Sequence, residues 1–542
     1  MAEAEVIESD VVVVGAGSAG CVIAARLSER SATSVTVIEA GGSDMSPWVW
    51  MPIGYGGAFY HPRLNWRYYT EEDPGLNGRR AYWPRGRVLG GSSSINAMVY
   101  VRGQARDYDL WAEAGCTGWG YRDLLPYFRR LERYAGGPSQ WRGAAGPIGV
   151  RDIDDEAHPL SHAYVAAAEA AGHARNADFN GADQEGVGFY QINTAGGFRA
   201  SAARGYLWPA LKRPNLRLLR EAMVTRVIFD GRRATGVELR QNGRVMRVMA
   251  REVVLAAGAI GSPAILQRSG VGDPARLAAL GIETVHSAPA VGRNLQDHLG
   301  YDIAFLSRSA TLNRTFGTWT GRALAAARYA LTRGGPMALS VNQGGGFVKS
   351  APGRARPNIQ LYFSPMSYTR AKPGRRRLMA PDPFQGFMLG VSNCHPKSRG
   401  WLQIRSADPA EPPELHGNYL SAPEDLEELV EAFPLLRAIA AHSPLADHIA
   451  EELRPGPEVT DRAAVEQFIR DTAGSVFHQC GTCAMGPDPA RGAVVAPDLS
   501  VHGVTGLSVA DASVMPEITA GNLNAPAMMI GEKAAELIAA RI

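Results

Sequence analysis

Four successive valines, Val11 to Val14, are followed by Gly15, Ala16, Gly17, Ser18, Ala19 and Gly20. A continuous β-branched run suits a strand buried on both faces, as in a parallel sheet. A helix is expected over residues 21–28, and a second strand over residues 34–38 that ends at Glu39. Strand, glycine turn, helix and strand in this order form a cradle for the ADP half of a dinucleotide. Gly15 allows the turn, Gly17 lets the backbone approach a pyrophosphate, and Gly20 lets the helix pack close to the sheet. The helix N-terminus then offers free N–H groups and a positive dipole end to the phosphates. Glu39 follows Gly20 by 19 residues, the spacing of a carboxylate that accepts ribose hydroxyl bonds.

The pattern changes along the chain. Residues 42–110 are rich in Gly, Trp, Tyr and Arg with little periodicity, which reads as extended loop over a ligand. An Ala-rich helix is expected over residues 161–171, with Gly172 as its stop. Strand-like runs at 216–219, 222–229, 234–240 and 244–250, with turn signals Asp230-Gly231 and Asn242-Gly243, predict an antiparallel meander. A buried strand over residues 252–257 then ends at Gly258. A meander set into a parallel nucleotide sheet suits a flavoprotein better than a simple nicotinamide enzyme. Beyond residue 301 the nucleotide features stop. Strands are expected at 358–362, 385–391 and 401–404, a helix at 423–440, another buried strand at 507–510 ending at Asp511, and a last helix at 526–542 with Pro526 in its first turn.

With 542 residues, two domains are the prior: a discontinuous nucleotide domain, 1–300 plus 480–542, and a substrate domain, 301–479. Net charge is +3, which implies no nucleic-acid partner. The densest basic run, Lys372 with Arg375 to Arg377, reads as a solvated loop. No uncharged apolar stretch reaches membrane-spanning length. The N-terminus has acids where a secretion signal needs basic residues. An odd five cysteines fit a reducing compartment. A cytoplasmic location is expected.

Four motifs, in order and across nearly the whole chain, resemble the glucose–methanol–choline (GMC) family of FAD-dependent oxidoreductases. They are the N-terminal fingerprint through Glu39-Ala40-Gly41-Gly42; Pro84 to Val99, containing Arg85 and Gly90-Gly91-Ser92; Gly258 to Gly272; and His478 to Gly486 with Asp511 to Pro516 and Gly521 to Pro526. The resemblance implies an α/β fold with an α+β substrate region: a Rossmann-like FAD-binding domain with an inserted antiparallel meander, and a substrate domain with a mixed or antiparallel sheet and helices. It implies FAD contacts at Gly15, Gly17, Ser18, Ala19, Gly20, Glu39, Ala40, Arg85, Gly90, Gly91, Ser92, Asn96, Ala97, Met98, Val99, Val224, Ala257, Gly258, Asp511, Ala512 and Asn522. Some relatives anchor the flavin covalently through a histidine where this chain has Ile95, so noncovalent FAD is expected.

The resemblance also places His478 at the family's active-site histidine. An imidazole with a reference pKa near 6.5 can take a hydroxyl proton while flavin N5 takes the hydride. Asn524 is the expected second residue, donating to the substrate oxygen, although a residue just ahead of Ala525-Pro526 also suits a helix start. The implied reaction is oxidation of a primary alcohol to an aldehyde, with oxygen or a quinone-like acceptor reoxidising the flavin. Cys480 and Cys483 have Cys-x-x-Cys spacing, and they read as buried structural thiols rather than a redox pair or a zinc site. His158 and His162 read as residues near a helix start. Gln343 stands where choline-dehydrogenase-like members often have Glu, which tilts the reading toward a neutral substrate, with Tyr362, Phe363, Tyr368 and Phe384 as candidate lining. Two rival readings are a cyanohydrin-cleaving lyase with a redox-silent flavin and a nicotinamide dehydrogenase. A noncatalytic redox sensor built on the two cysteines has little support.

Overall fold

The computed structural model describes residues 5–368 and 380–542. The basic run at Lys372 to Arg377 lies outside them, as do residues 1–4. The four valines, at most 3% exposed, form the buried half of strand Glu5–Val14. This strand is the centre of the first sheet. Val35–Glu39 pairs parallel on one side, followed by Leu216–Arg220, and Arg244–Leu255 pairs parallel on the other. The expected strands 244–250 and 252–257 are thus one strand of 12 residues. Its first half carries the meander, Arg233–Gln241 and then Ala222–Asp230. Its second half pairs parallel with Leu507–Val509. Helix Ser18–Leu27 begins directly at the glycine turn, three residues earlier than the sequence suggests. It packs against the C-terminal helix Asn524–Ala539.

The second sheet is antiparallel, in the order Ile449–Arg454, Leu299–Ser307, Gly386–Asn393, Ile359–Ser364, Gly344–Val348 and Gly186–Phe189. The last of these strands comes from the N-terminal half, and helix Pro159–Ala170 packs beside it. The second sheet therefore takes one of its strands from ahead of residue 300. Helix Pro423–Ala440, expected at these bounds, packs on strands Gly386–Asn393 and Ile359–Ser364. Along Ile359–Ser364 the alternation sends Phe363 into the core, stacked on Tyr164, and leaves Tyr362 facing inward between the sheets.

Residues 42–110 are not one extended loop. They hold a hairpin, Tyr68–Asp73 with Arg79–Trp83, turning where the Asp73 side chain accepts from Gly75 N. They also hold short helical turns and helix Ala105–Glu113. No helix among the described residues is long and apolar enough to cross a membrane.

Candidate active site

A cavity of about 1130 Å³ runs between the two sheets, larger than the usual 300–1,000 Å³ of a small-molecule pocket. Its floor is the glycine turn. Gly15 takes φ +103°, and a Cβ on it would fall 2.5 Å from Ala256 O. Gly17 differs: a Cβ there meets nothing closer than 3.9 Å, so its open side is cavity. Gly91 closes on Gly17 from above, leaving no room for a side chain between them, since a Cβ on Gly91 would lie 2.7 Å from Gly17 Cα. Glu39 stands at one end. Its two carboxyl oxygens accept from Ala16 N at 2.9 Å and Gly41 N at 2.7 Å, and burial pushes its pKa up to about 7.

His478 sits at the other end, in the loop after the short strand Gly474–Ser475, with the backbone of Phe477 in the left-handed region at φ +72°. The buried carboxylate of Asp297 pins this loop. It accepts from His478 N at 2.7 Å, Gln479 Nε2 at 2.7 Å, Ser475 Oγ at 2.5 Å and Tyr419 Oη at 2.5 Å. The next residue, His298, places Nδ1 2.9 Å from His478 Nδ1, and its Nε2 lies 2.9 Å from the carbonyl oxygen of Cys394. A carbonyl only accepts, so His298 Nε2 carries the proton and its Nδ1 is an acceptor. His478 Nδ1 must then donate, which leaves the lone pair of His478 on Nε2. That nitrogen lies 3.1 Å from Asn522 Nδ2. Asn522 is held in this orientation because its Oδ1 accepts from Gln360 Nε2 at 3.3 Å, and Gln360 is oriented in turn by Tyr362 Oη at 2.7 Å.

Both imidazoles are neutral at physiological pH. Burial lowers His298 to about 4. Burial, then His298 and the Arg85 guanidinium, hold His478 well below its ordinary value. The arrangement provides a neutral base whose Nε2 lone pair accepts from the Asn522 amide at the cavity wall, where a substrate hydroxyl can displace that bond, with the Arg85 positive charge nearby.

The cavity collects nearly all the residues expected from the sequence. Gly15, Gly17, Ser18, Ala19, Glu39, Ala40, Arg85, Gly91, Ser92, Asn96, Ala97, Met98, Val99, Val224, Ala257, Gly258, Asp511, Ala512, Asn522, Asn524 and His478 all line it. Gly20 and Gly90 do not. Gly20 abuts Gly15, where a Cβ would fall 1.8 Å from the carbonyl oxygen, and Gly90 takes φ +85° behind the wall. Asp511 spends its carboxylate on Gly258 N, Ser262 Oγ and Ser513 N, so it shapes the turn that faces the cavity. Asn524 is the first residue of its helix and, among the described residues, makes no hydrogen bond to His478. Its Oδ1 accepts from Ser18 Oγ at 3.0 Å, and its Nδ2 is buried without a partner among the described residues.

His298 and Gln360 were not singled out by the sequence. Gln343 is turned away from the cavity: its Oε1 accepts from His158 N and Ser161 Oγ, so it bears on helix packing and not on substrate charge. His158 caps that helix, accepting from Leu160 N, and His162 packs on Phe189. Tyr362 and Tyr368 line the cavity, whereas Phe384 is 36% exposed. Cys480 and Cys483 are free and fully buried, and burial pushes both thiols up.

Residues 9–300 and 396–531 match the N- and C-terminal models of the family described as GMC oxidoreductase. An oxygen-dependent choline dehydrogenase of Rhizobium johnstonii is 42% identical over 98% of this chain and 95% of its own. An alcohol dehydrogenase [acceptor] of Pseudomonas putida is 41% identical over 98% and 96%. The chain belongs to the GMC oxidoreductases. Among solved structures, a pyridoxine 4-oxidase from Mesorbium loti superposes with a TM-score of 0.88 at 31% identity, covering 97% of this chain and 98% of that one. Like its family, this GMC oxidoreductase is an FAD-dependent enzyme, and the nicotinamide reading is set aside.

The residues present fit FAD. The open side of Gly17 and the N-terminus of Ser18–Leu27 suit the pyrophosphate, and the Glu39 carboxyl suits the ribose. The unpartnered Nδ2 of Asn524, at the start of a helix whose N-terminus opens on the cavity, suits a carbonyl oxygen of the flavin.

Proposed function

We propose that this enzyme oxidises a primary alcohol to an aldehyde, with His478 as the base. The observation that supports this reading most is the fixed tautomer of His478, which turns a neutral lone pair into the cavity. The substrate hydroxyl displaces the Asn522 bond from His478 Nε2, which takes the hydroxyl proton, and Asn522 Nδ2 then donates to the oxygen as negative charge develops on it. The Arg85 guanidinium, close enough to depress His478, favours the same charge. His298 is a positioning residue: it holds His478 by Nδ1 and does not itself line the cavity. Bound FAD supplies the hydride acceptor. Reoxidation is by oxygen or a quinone-like acceptor.

FAD is held noncovalently in this reading, because Ile95 supplies only an aliphatic wall at the position where some relatives carry histidine. The substrate domain, residues 301–479 with the strand Gly186–Phe189, covers the substrate. Its contribution to the cavity includes Asn342, Tyr362, Tyr368, Val391 and the carboxylate-bearing Asp302. Asn522 replaces Asn524 as the partner of His478, and Asn524 serves the cofactor. Screening alcohols for anaerobic loss of the flavin absorption bands tests the reaction class. Reduction by a primary alcohol with release of the aldehyde supports oxidation. Flavin that stays oxidised while a cyanohydrin is cleaved would support the lyase reading.

A further inference from the structure

The three most exposed large apolar side chains among the described residues lie on one helix, Trp319–Thr332: Trp319 is 79% exposed, Leu324 73% and Leu331 86%. Only Ala325 and Tyr329 of this helix are buried. At roughly 100° per residue, those two define its inner side. The outward arc, roughly 160° wide on the same count, carries Trp319, Ala323, Leu324, Ala326, Ala327, Ala330 and Leu331, with Thr320 as its single polar member. Arg322 borders this arc on one edge and Arg328 on the other, both exposed. The helix thus presents its apolar face to solvent, the reverse of a surface helix that serves only its own core.

Charge narrows what can cover it. From Ile303 to Pro381 the chain contains no Asp or Glu, while Arg314, Arg322, Arg328 and Arg333 fall in or next to this helix and the short one before it. A second copy of the chain meeting the face about a two-fold axis would bring arginine edges together with no acid of the segment between them. An anionic bilayer surface meets both features: the arc seats among the acyl chains, and the arginines reach outward to phosphate headgroups.

We propose that Trp319–Thr332 is an interfacial helix by which the enzyme docks on anionic phospholipid. The helix lies on the bilayer and does not span it. The chain beyond it runs directly to the active site: Val341 N donates to Tyr55 Oη at 3.2 Å, and Tyr55 and Asn342 line the cavity. Docking therefore brings one cavity wall near the lipid.

Flotation of the FAD-loaded enzyme with phosphatidylcholine vesicles, with and without phosphatidylglycerol, tests the proposal. The wild type floats with the anionic vesicles. The triple variant Trp319→Ala, Leu324→Ala, Leu331→Ala loses at least ~10-fold in partitioning, given the methylene groups withdrawn from the bilayer. The pair Arg322→Glu, Arg328→Glu loses binding also, and both variants keep their turnover in solution. Three results would overturn the proposal: no flotation with either vesicle, equal flotation with neutral vesicles, or flotation that both variants retain. A dimer seen by light scattering that the triple variant makes monomeric, without flotation, would assign the face to self-association instead.

Discussion

Replacing His298 by phenylalanine removes the acceptor of the His478 Nδ1–H bond while leaving cavity-lining residues in place. Two consequences follow from the geometry. His478 loses the constraint that keeps its lone pair on Nε2, a bond 2.9 Å long in a buried site. A net hydrogen bond of this kind is worth about 1–1.5 kcal/mol, about a 10-fold bias between the two tautomers, so without it the competent tautomer falls from about nine-tenths to about half of the population and the rate of flavin reduction falls at least about twofold. The ceiling is about 10⁴-fold, the size of effect when an orienting partner forces a catalytic histidine into the wrong tautomer. The second consequence separates positioning from mere packing. His298 is one of the causes that hold His478 low, after burial itself. Without it the pKa of His478 rises, and the acidic limb of the reduction rate moves to higher pH. Anaerobic stopped-flow reduction of the bound flavin by the best alcohol substrate, across pH, reads both. A variant that stays folded and FAD-loaded, reduces at the wild-type rate and keeps its acidic limb would refute the tautomer argument.

Other outcomes follow from the same site. Asn522→Ala slows flavin reduction by on the order of 10²-fold, as loss of a donor to the developing oxyanion does, whereas Asn524→Ala weakens FAD retention first; stopped-flow rates beside FAD dissociation constants distinguish the two, and the reverse pattern would restore Asn524 as the partner of His478. Glu39, raised to about 7, is largely protonated at pH 6 and ionised at pH 8, and ribose hydroxyls donate best to the ionised form. FAD titration of the apoprotein therefore shows affinity rising about 10-fold over that interval, and Glu39→Gln flattens the dependence. The same shift has the opposite sign for apoprotein stability: a carboxyl pKa raised on folding contributes most below its unfolded value and is lost as pH rises through about 7. Heat or acid denaturation releases intact FAD to the supernatant, and flavin left on the precipitated chain would show a covalent anchor that Ile95 cannot provide.

Much of the cradle was legible because its signals are local. The valine run, the glycine spacing and Glu39 lie within 30 residues, and each glycine has one steric task that the structure displays. The Asn242-Gly243 turn was equally readable, with both residues at positive φ. The hairpin of residues 68–83 was not, because Glu72 and Asp73 face Arg80 and Arg79 across a bulged ladder that breaks the alternation. His298 was invisible for a different reason. It meets His478 across 180 residues, and the preceding Asp297 gives no hint that its four donors come from two distant segments, Tyr419 and residues 475–479. The choice between Asn522 and Asn524 turned on a helix start: the chain enters its last helix at Asn524, and only the residue two positions earlier, after Gly521 at φ +87°, is free to reach the imidazole. Helix Trp319–Thr332 carries its apolar arc outward, so its periodicity reports no core contact.

The central claim is that His478 takes the substrate proton. The direct measurement is anaerobic stopped-flow reduction of the flavin in His478→Ala, which isolates the step from the choice of electron acceptor. With FAD still bound, the reduction rate falls by ~10²–10⁴-fold, the usual worth of a positioned base. Reduction at the wild-type rate across pH would contradict the account, and the base would have to be sought elsewhere in the cavity.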